Sequence, residues 1–191
     1  MTLIQRGIAM IDITRGVLTA DRYPGDPAPE LRSELVGEYL RSTLSFCLHT
    51  GTPVDAPLHY LPGGKAVDQL DVKSLSGLCL LVEGWPSAEE FSLMKRRKIE
   101  ILLLKGCFVT RKLLPELEAL GIKTIGNDQL SIAPSDAERE IHEALFARGI
   151  VPLECLKLND VSPGLYRLLA LPMLIERAEA APVRAFLCEA E

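Results

Sequence analysis

The chain has 191 residues, 48% of them hydrophobic and 25% charged, with a net charge of −5. That length supports one sizeable core and is short for two, so residues 1–191 read as a single domain. The only basic cluster, Lys95-Arg96-Arg97-Lys98, sits near the acidic Glu89-Glu90 and reads as a solvated helix face or turn, which sets nucleic-acid binding aside.

The first residues, Met1-Thr2-Leu3-Ile4-Gln5-Arg6, lack the apolar core of a signal peptide. No apolar run reaches the roughly 18 residues a membrane span needs. Cys47, Cys79, Cys107, Cys155 and Cys188 are scattered singly, with no CxxC pair. Three of them (Cys47, Cys79 and Cys155) lie in apolar runs, where free cysteine behaves as a small hydrophobe. The expectation is a reducing, cytoplasmic setting without disulfides and without a membrane partner.

Met10-Ile11-Asp12-Ile13 reads as a strand leading to a loop that ends Tyr23-Pro24-Gly25-Asp26-Pro27. Two prolines around Gly25-Asp26 force a turn there. Residues 30–38 have helical propensity but no convincing cap. From Leu40 to His49 the alternation is clear: Leu40, Leu44, Phe46 and Leu48 on one face, Arg41, Thr43, Ser45, Cys47 and His49 on the other. This pattern predicts a half-buried strand with His49 at its end. Leu75 to Val82 and Ile99 to Leu104 are apolar strands, Lys112 to Leu120 a short helix with Pro115 in its first turn, and Ile122 to Ile125 a further strand. The strongest helix is Ser135 to Gly149, with Ser135 and Glu138 as a capping box and Gly149 as its stop. Val151 to Leu158, Gly164 to Leu171 and Pro182 to Leu187 complete the strands. Many strands with a few helices predict an α/β (α+β) single domain.

Only three histidines are present: His49, His59 and His142. His49 and His59 bracket the segment His49-Thr50-Gly51-Thr52-Pro53-Val54-Asp55-Ala56-Pro57-Leu58-His59, which also carries Asp55. Prolines restrict that stretch, which helps where ligands must converge. Imidazole with carboxylate suits zinc, manganese or iron better than magnesium or calcium. A polar loop with hydrogen-bonded histidines is the plainer alternative. Glu154 stands alone in the apolar run Val151-Pro152-Leu153-Glu154-Cys155-Leu156. A buried carboxylate there needs an ion-pair partner, such as Arg184 or Lys157, or a bound cation. His142, taken alone, fits a partly exposed helix position.

Other segments fall into a pattern with these. Asp12-Ile13-Thr14, Tyr23-Pro24-Gly25-Asp26-Pro27, Asp55-Ala56-Pro57-Leu58-His59-Tyr60 and Pro62-Gly63-Gly64 occur in order. Gly126-Asn127-Asp128, Ser131, Leu153-Glu154, Pro163-Gly164-Leu165-Tyr166, Ala170-Leu171-Pro172 and Ala181-Pro182-Val183-Arg184-Ala185 follow. Together they resemble the cyclase-like metal-dependent hydrolases, a superfamily that includes kynurenine formamidase and isatin hydrolase. The segment from His49 to His59 resembles that group's HxGTHxDxPxH motif.

The resemblance implies a swivelling β/β/α architecture and a homodimer with sites near the subunit contact. It implies His49, Asp55, His142 and Glu154 as ligands of one or two divalent ions, zinc foremost and manganese as the other candidate. His59 would be the acid–base histidine, and Tyr23, where formamidases often carry tryptophan, would contact substrate. The implied reaction is hydrolysis of a small-molecule amide, formamide or lactone, with N-formylkynurenine of tryptophan catabolism as the foremost substrate. Three departures stand out: Pro53 replaces a ligand histidine, Tyr23 replaces that tryptophan, and Lys105-Gly106-Cys107 stands where relatives commonly read TGW. Two other readings remain open: a metal-depleted small-molecule binding protein on the same scaffold, and a cyclase or dehydratase.

Overall fold

The computed structural model describes residues 10–190. Its ten strands are β1 (Met10–Asp12), β2 (Glu30–Val36), β3 (Tyr39–Ser45), β4 (Pro53–Asp55), β5 (Ser76–Glu83), β6 (Ile101–Lys105), β7 (Thr124–Asn127), β8 (Val151–Leu153), β9 (Gly164–Pro172) and β10 (Ala180–Glu189). Three α-helices join them: α1 (Ala88–Arg97), α2 (Leu114–Leu120) and α3 (Glu138–Ala147). Eight strands form one mixed sheet in the order β1-β10-β4-β8-β7-β6-β5-β9, and a further β9–β10 pairing closes it into a barrel. This is the expected α/β class.

The apolar runs are two-sided because β5 to β8 pair in parallel and are covered on both faces. Leu81, Leu103 and Leu153 join Val54, Leu168 and Ala185 in one core cluster, inside the barrel. Their neighbours Leu80, Val82, Leu102 and Leu104 point the other way, onto Met94 of α1, Leu117 of α2 and Ile141 and Leu145 of α3.

Residues 30–38, which the sequence leaves ambiguous, form a strand: Glu30–Val36 pairs antiparallel with β3. Other local expectations are corrected. The β3 strand is not half-buried, since all seven of its residues are exposed. It stops at Ser45, so His49 lies in a turn beyond it. Leu31, Leu35, Leu40 and Leu44 share one face of this hairpin, and that face meets no other element strongly enough to bury it. The helix expected from Ser135 starts at Glu138, with Ala137 as an N-cap that makes no side-chain bond. Pro134 to Ala137 closes a turn instead, Ala137 N–H donating to the Pro134 carbonyl at 2.9 Å, which uses up the residues a capping box needs. Gly149 does follow the helix, at φ 68°. Finally, β8 ends at Leu153 because Cys155 adopts φ 56°, a left-handed conformation that turns the chain out of the sheet.

The basic run does end a solvated helix: Lys95, Arg96 and Arg97 form the last turn of α1. Of the two readings, helix face or turn, the helix holds, and Ser87 and Glu90 form a reciprocal capping box at its start. All five cysteines are free. No helix among the described residues is long and apolar enough to cross a membrane.

Candidate metal centre

The barrel brings the two halves of the sequence motif together through one short strand pair. Val54 of β4 pairs antiparallel with Leu153 of β8, which sets Glu154 opposite Pro53 and leaves Asp55 diagonal to Glu154 across the pair, both on the face turned away from Val54 and Leu153. Glu154 N–H donates to the Pro53 carbonyl at 3.1 Å. Thr52 strengthens this junction: its hydroxyl donates to the Cys155 carbonyl at 3.1 Å and accepts from Arg15 N–H at 2.9 Å. Gly51, at φ 90°, makes the turn from His49 into β4, and a side chain there would meet the Arg15 carbonyl at 3.1 Å. A 3-10 turn at Pro57–His59 then delivers His59.

All the residues singled out from the sequence arrive at this point. His49 Nδ1 lies 3.0 Å from Asp55 Oδ1. His142 Nε2, from α3, lies 3.4 Å from Asp55 Oδ2 and 3.2 Å from Glu154 Oε1. The His59 ring sits 4.3 Å from that of His49 and 5.8 Å from that of His142, centroid to centroid. Asp55, His142 and Glu154 offer ligand atoms within 4.8 Å of one another, and so do His49, Asp55 and His59. Tyr23 lines the same cavity of about 130 Å³ as the three histidines and Glu154.

The ion-pair alternative for Glu154 does not hold. Arg184 pairs with Asp12, and Glu154 instead accepts from Ile132 N–H at 2.6 Å and faces His142. His142 is not an exposed helix residue either, being only 2% exposed.

The electrostatics of the cluster call for a positive charge at its centre. Asp55 is fully buried, yet neither carboxylate oxygen has a hydrogen-bond partner, because the nearby imidazole nitrogens approach without hydrogen-bond geometry. Orphaned buried carboxylate oxygens are costly unless a cation meets them. His142 sharpens the point. Its Nδ1 lies 2.7 Å from the Glu138 carbonyl, which takes the ring N–H. The remaining nitrogen, Nε2, is then the one turned towards two carboxylates, where it carries a proton unless an ion takes that proton's place. A backbone carbonyl that accepts from the other ring nitrogen is the usual orienter of a metal-bound histidine. Burial would lower the pKa of His142, but Asp55 and Glu154 outweigh it and push it up to about 10. Burial likewise opposes the rise in His49, which Asp55, Glu154 and Glu179 push up to about 9. Burial works to raise Asp55, but the facing His49 and His142 hold its carboxyl below the usual range. Glu154 is pushed up by burial and by Asp55. Without a metal, protons must supply the positive charge; a divalent ion would supply it directly, so the donor set fits such an ion.

His59 differs from the other two histidines. Burial lowers its pKa, and the charges on His49 and His142 add to that effect while Asp55 opposes it, so the neutral imidazole is favoured. Six lining or flanking residues carry no site assignment from the sequence: Asp26, Tyr60, Leu130, Ser131, Glu138 and Glu179. Tyr60 packs 4.8 Å from the His142 ring, and Glu179 Oε1 lies 3.7 Å from His49 Nε2. Tyr60 follows His59 directly and could have been read from the motif. Glu179 carried no signal, sitting in an ordinary acidic segment that only the β4–β10 pairing brings to Asp55.

Fold and site together define a metal-dependent hydrolase of the putative cyclase family, to which the chain belongs: that family's model matches residues 11–124. The kynurenine formamidase of Salinibacter ruber is 34% identical over 96% of this chain and 99% of its own length. The kynurenine formamidase of Bacillus cereus is 33% identical over 85% and 88%. Among solved structures, a predicted metal-dependent hydrolase from Bacillus stearothermophilus covers 96% of this chain and 100% of its own, with TM-score 0.78 and 25% identity. An isatin hydrolase bound to the product analogue thioisatinate shares the fold at TM-score 0.76 and 17% identity, over 96% of this chain and 93% of its own.

Proposed function

We propose that the chain is an arylformamidase-type enzyme that hydrolyses the C–N bond of a small aryl formamide, with N-formylkynurenine as the first substrate to try. The observation that carries this reading is the pair of buried, unpartnered Asp55 oxygens facing His142 and His49 beside Glu154. The two relatives described above bear the name kynurenine formamidase, which directs the choice of substrate. Asp55, His142 and Glu154 would hold a divalent ion, zinc by its preference for nitrogen and oxygen donors at neutral pH. When bound, such an ion acidifies water and polarises a carbonyl. His59, neutral and beside the cluster, would take a proton from the attacking water and give it to the departing aryl amine. Water adds to the formyl carbon, the C–N bond breaks, and formate and the free amine leave. Tyr23 lines the entrance and would contact the substrate.

Two accompaniments belong to this reading. The exposed leucine face of the β2–β3 hairpin suits burial against a second copy in a homodimer, since a lone two-stranded hairpin is marginal in water. Five free cysteines suit a reducing cytoplasm.

The test is metal content by elemental analysis, paired with hydrolysis assays on formanilides, lactones and hydroxy acids. Activity on formanilides that a chelator removes and added zinc restores supports the reading. A fully metal-loaded protein inert to every formanilide but active in dehydration or ring closure would overturn it.

Pro53 sets a further expectation. Pro53 and Asp55 share one face of β4, while Val54 points into the barrel core. A histidine at position 53 would therefore project towards the site, and the Pro53 carbonyl bond to Glu154 N–H would survive the change. The natural protein is expected to retain metal at the His142 position better than at the His49 position, close to one ion per chain. Pro53→His is expected to move the count towards two at equal supplied zinc, read by elemental analysis. Two ions per chain in the natural protein would show that Pro53 costs nothing.

A further inference from the structure

We infer that the cavity over the metal-ligand cluster recognises an ammonium group on the substrate, and that Glu138 is the residue that reads it. The inference rests on the functional reading above and goes beyond it by naming which part of a substrate, other than the reacting bond, is bound. Besides the histidines and Glu154, the charged residues lining the cavity are Asp26 and Glu138, both carboxylates. Neither forms an ion pair with a lysine or arginine among the described residues. Glu138 stands in the first turn of α3, one turn before His142. Its backbone carbonyl is engaged by His142, and one side-chain oxygen, Oε2, accepts from the Tyr23 hydroxyl at 2.8 Å. That bond raises the Tyr23 pKa, so the phenol stays protonated and holds the carboxylate over the cavity. The other Glu138 oxygen has no partner among the described residues.

Arg22 reaches Asp26 only at its backbone carbonyl, at 2.9 Å, and does not line the cavity; Arg139 places its guanidinium 5.5 Å from the Tyr60 ring centroid. It is engaged by Glu143 at 3.1 Å and does not line the cavity. Two phenol rings, Tyr23 and Tyr60, complete the wall. Carboxylates beside aromatic faces, partly shielded from water, form an environment that favours an ammonium group over a neutral or anionic one. An α-carboxylate on the same substrate would meet only like charge from Asp26 and Glu138 and gain nothing from them. The substrate class is thus an aryl formamide with an alkylammonium side chain, in which a carboxylate is dispensable. Tyr23 is integral to this arrangement, because the phenol supplies the hydroxyl that positions Glu138.

The experiment compares three formanilides on the zinc-loaded enzyme, alike at the reacting bond. Their ortho side chains end in an ammonium, in an isosteric hydroxyl, or in an ammonium with an α-carboxylate. The ammonium compound is expected to exceed the hydroxyl compound about tenfold in kcat/KM, mostly through KM, at the lower end of a charge-assisted hydrogen bond. The α-carboxylate is expected to add nothing. Glu138→Gln keeps the backbone bond to His142, and it should bring the ammonium-to-hydroxyl ratio close to one. An unchanged ratio in that variant overturns the inference, as does a large gain from the α-carboxylate. If none of the three is hydrolysed, the functional reading fails by itself, and the inference is then decided by calorimetry. 2-Phenylethylammonium must bind more tightly than 2-phenylethanol to the natural protein, and that margin must vanish in Glu138→Gln. Equal binding of the two probes overturns it.

Discussion

Replacing His59 by alanine is expected to lower turnover on a formanilide substrate by roughly 10²–10⁴-fold, the usual share of a general acid–base group, while the zinc count stays at its natural value. The division between activity and metal is the informative part. His59 sits 4.3 Å from the His49 ring and has ligand reach to Asp55, so geometry alone allows it to be either a proton carrier or a ligand. Its other surroundings favour the first role. Burial and the neighbouring histidines keep it neutral, ready to accept a proton, and it lines the cavity where substrate would enter. His142, by contrast, has one ring nitrogen committed to the Glu138 carbonyl and the other turned to two carboxylates. Elemental analysis beside a steady-state assay separates the roles. Loss of zinc together with activity in His59→Ala would make His59 a ligand, one that occupies the place left by Pro53.

The candidate site was legible in the sequence where its chemistry is local. His49, Asp55 and His59 fall within eleven residues on a stretch stiffened by Pro53 and Pro57, so their convergence needed no knowledge of the fold. Glu154 was legible as a lone carboxylate among apolar neighbours, and the structure supplies the cause of its tolerance: Ile132 N–H and His142 meet it. Position in the fold was less legible. The leucine alternation of β3 predicts burial, but the pattern cannot tell a face that packs on its own barrel from one left bare, as this one is. The run Val151 to Leu158 reads as one strand, yet only three residues pair, because a left-handed Cys155 redirects the chain at the point where Glu154 must face the site. Glu138 looked like a helix cap. Its position beside the site depends on the later start of α3, which turns the side chain to Tyr23 instead of to Ser135.

The largest effect is expected from Asp55→Asn. Asp55 is the only residue common to both groups of converging ligands, so one substitution removes a donor from each. Asparagine keeps the shape, and with it the packing of a fully buried position, but it replaces an anionic oxygen by an NH₂ that cannot bind a cation. The natural protein should gain thermal stability on zinc addition by mass action, about 2.7 kcal/mol when zinc stands at 100 times its dissociation constant. Asp55→Asn should show no such gain, carry zinc only at the background level of a chelated control, and lose formanilide hydrolysis by about 10³-fold or more, since the metal's contribution to the barrier is several kcal/mol. Folding of the variant is checked separately by far-UV circular dichroism at low temperature, because His49 and His142 lose the carboxylate that faces both of them. A folded Asp55→Asn protein that still binds stoichiometric zinc and still melts higher in its presence would remove Asp55 from the metal centre. The unpartnered oxygens at the heart of the cluster would then have to be balanced by protons on His49 and His142 alone, and the hydrolytic reading would lose the observation on which it stands.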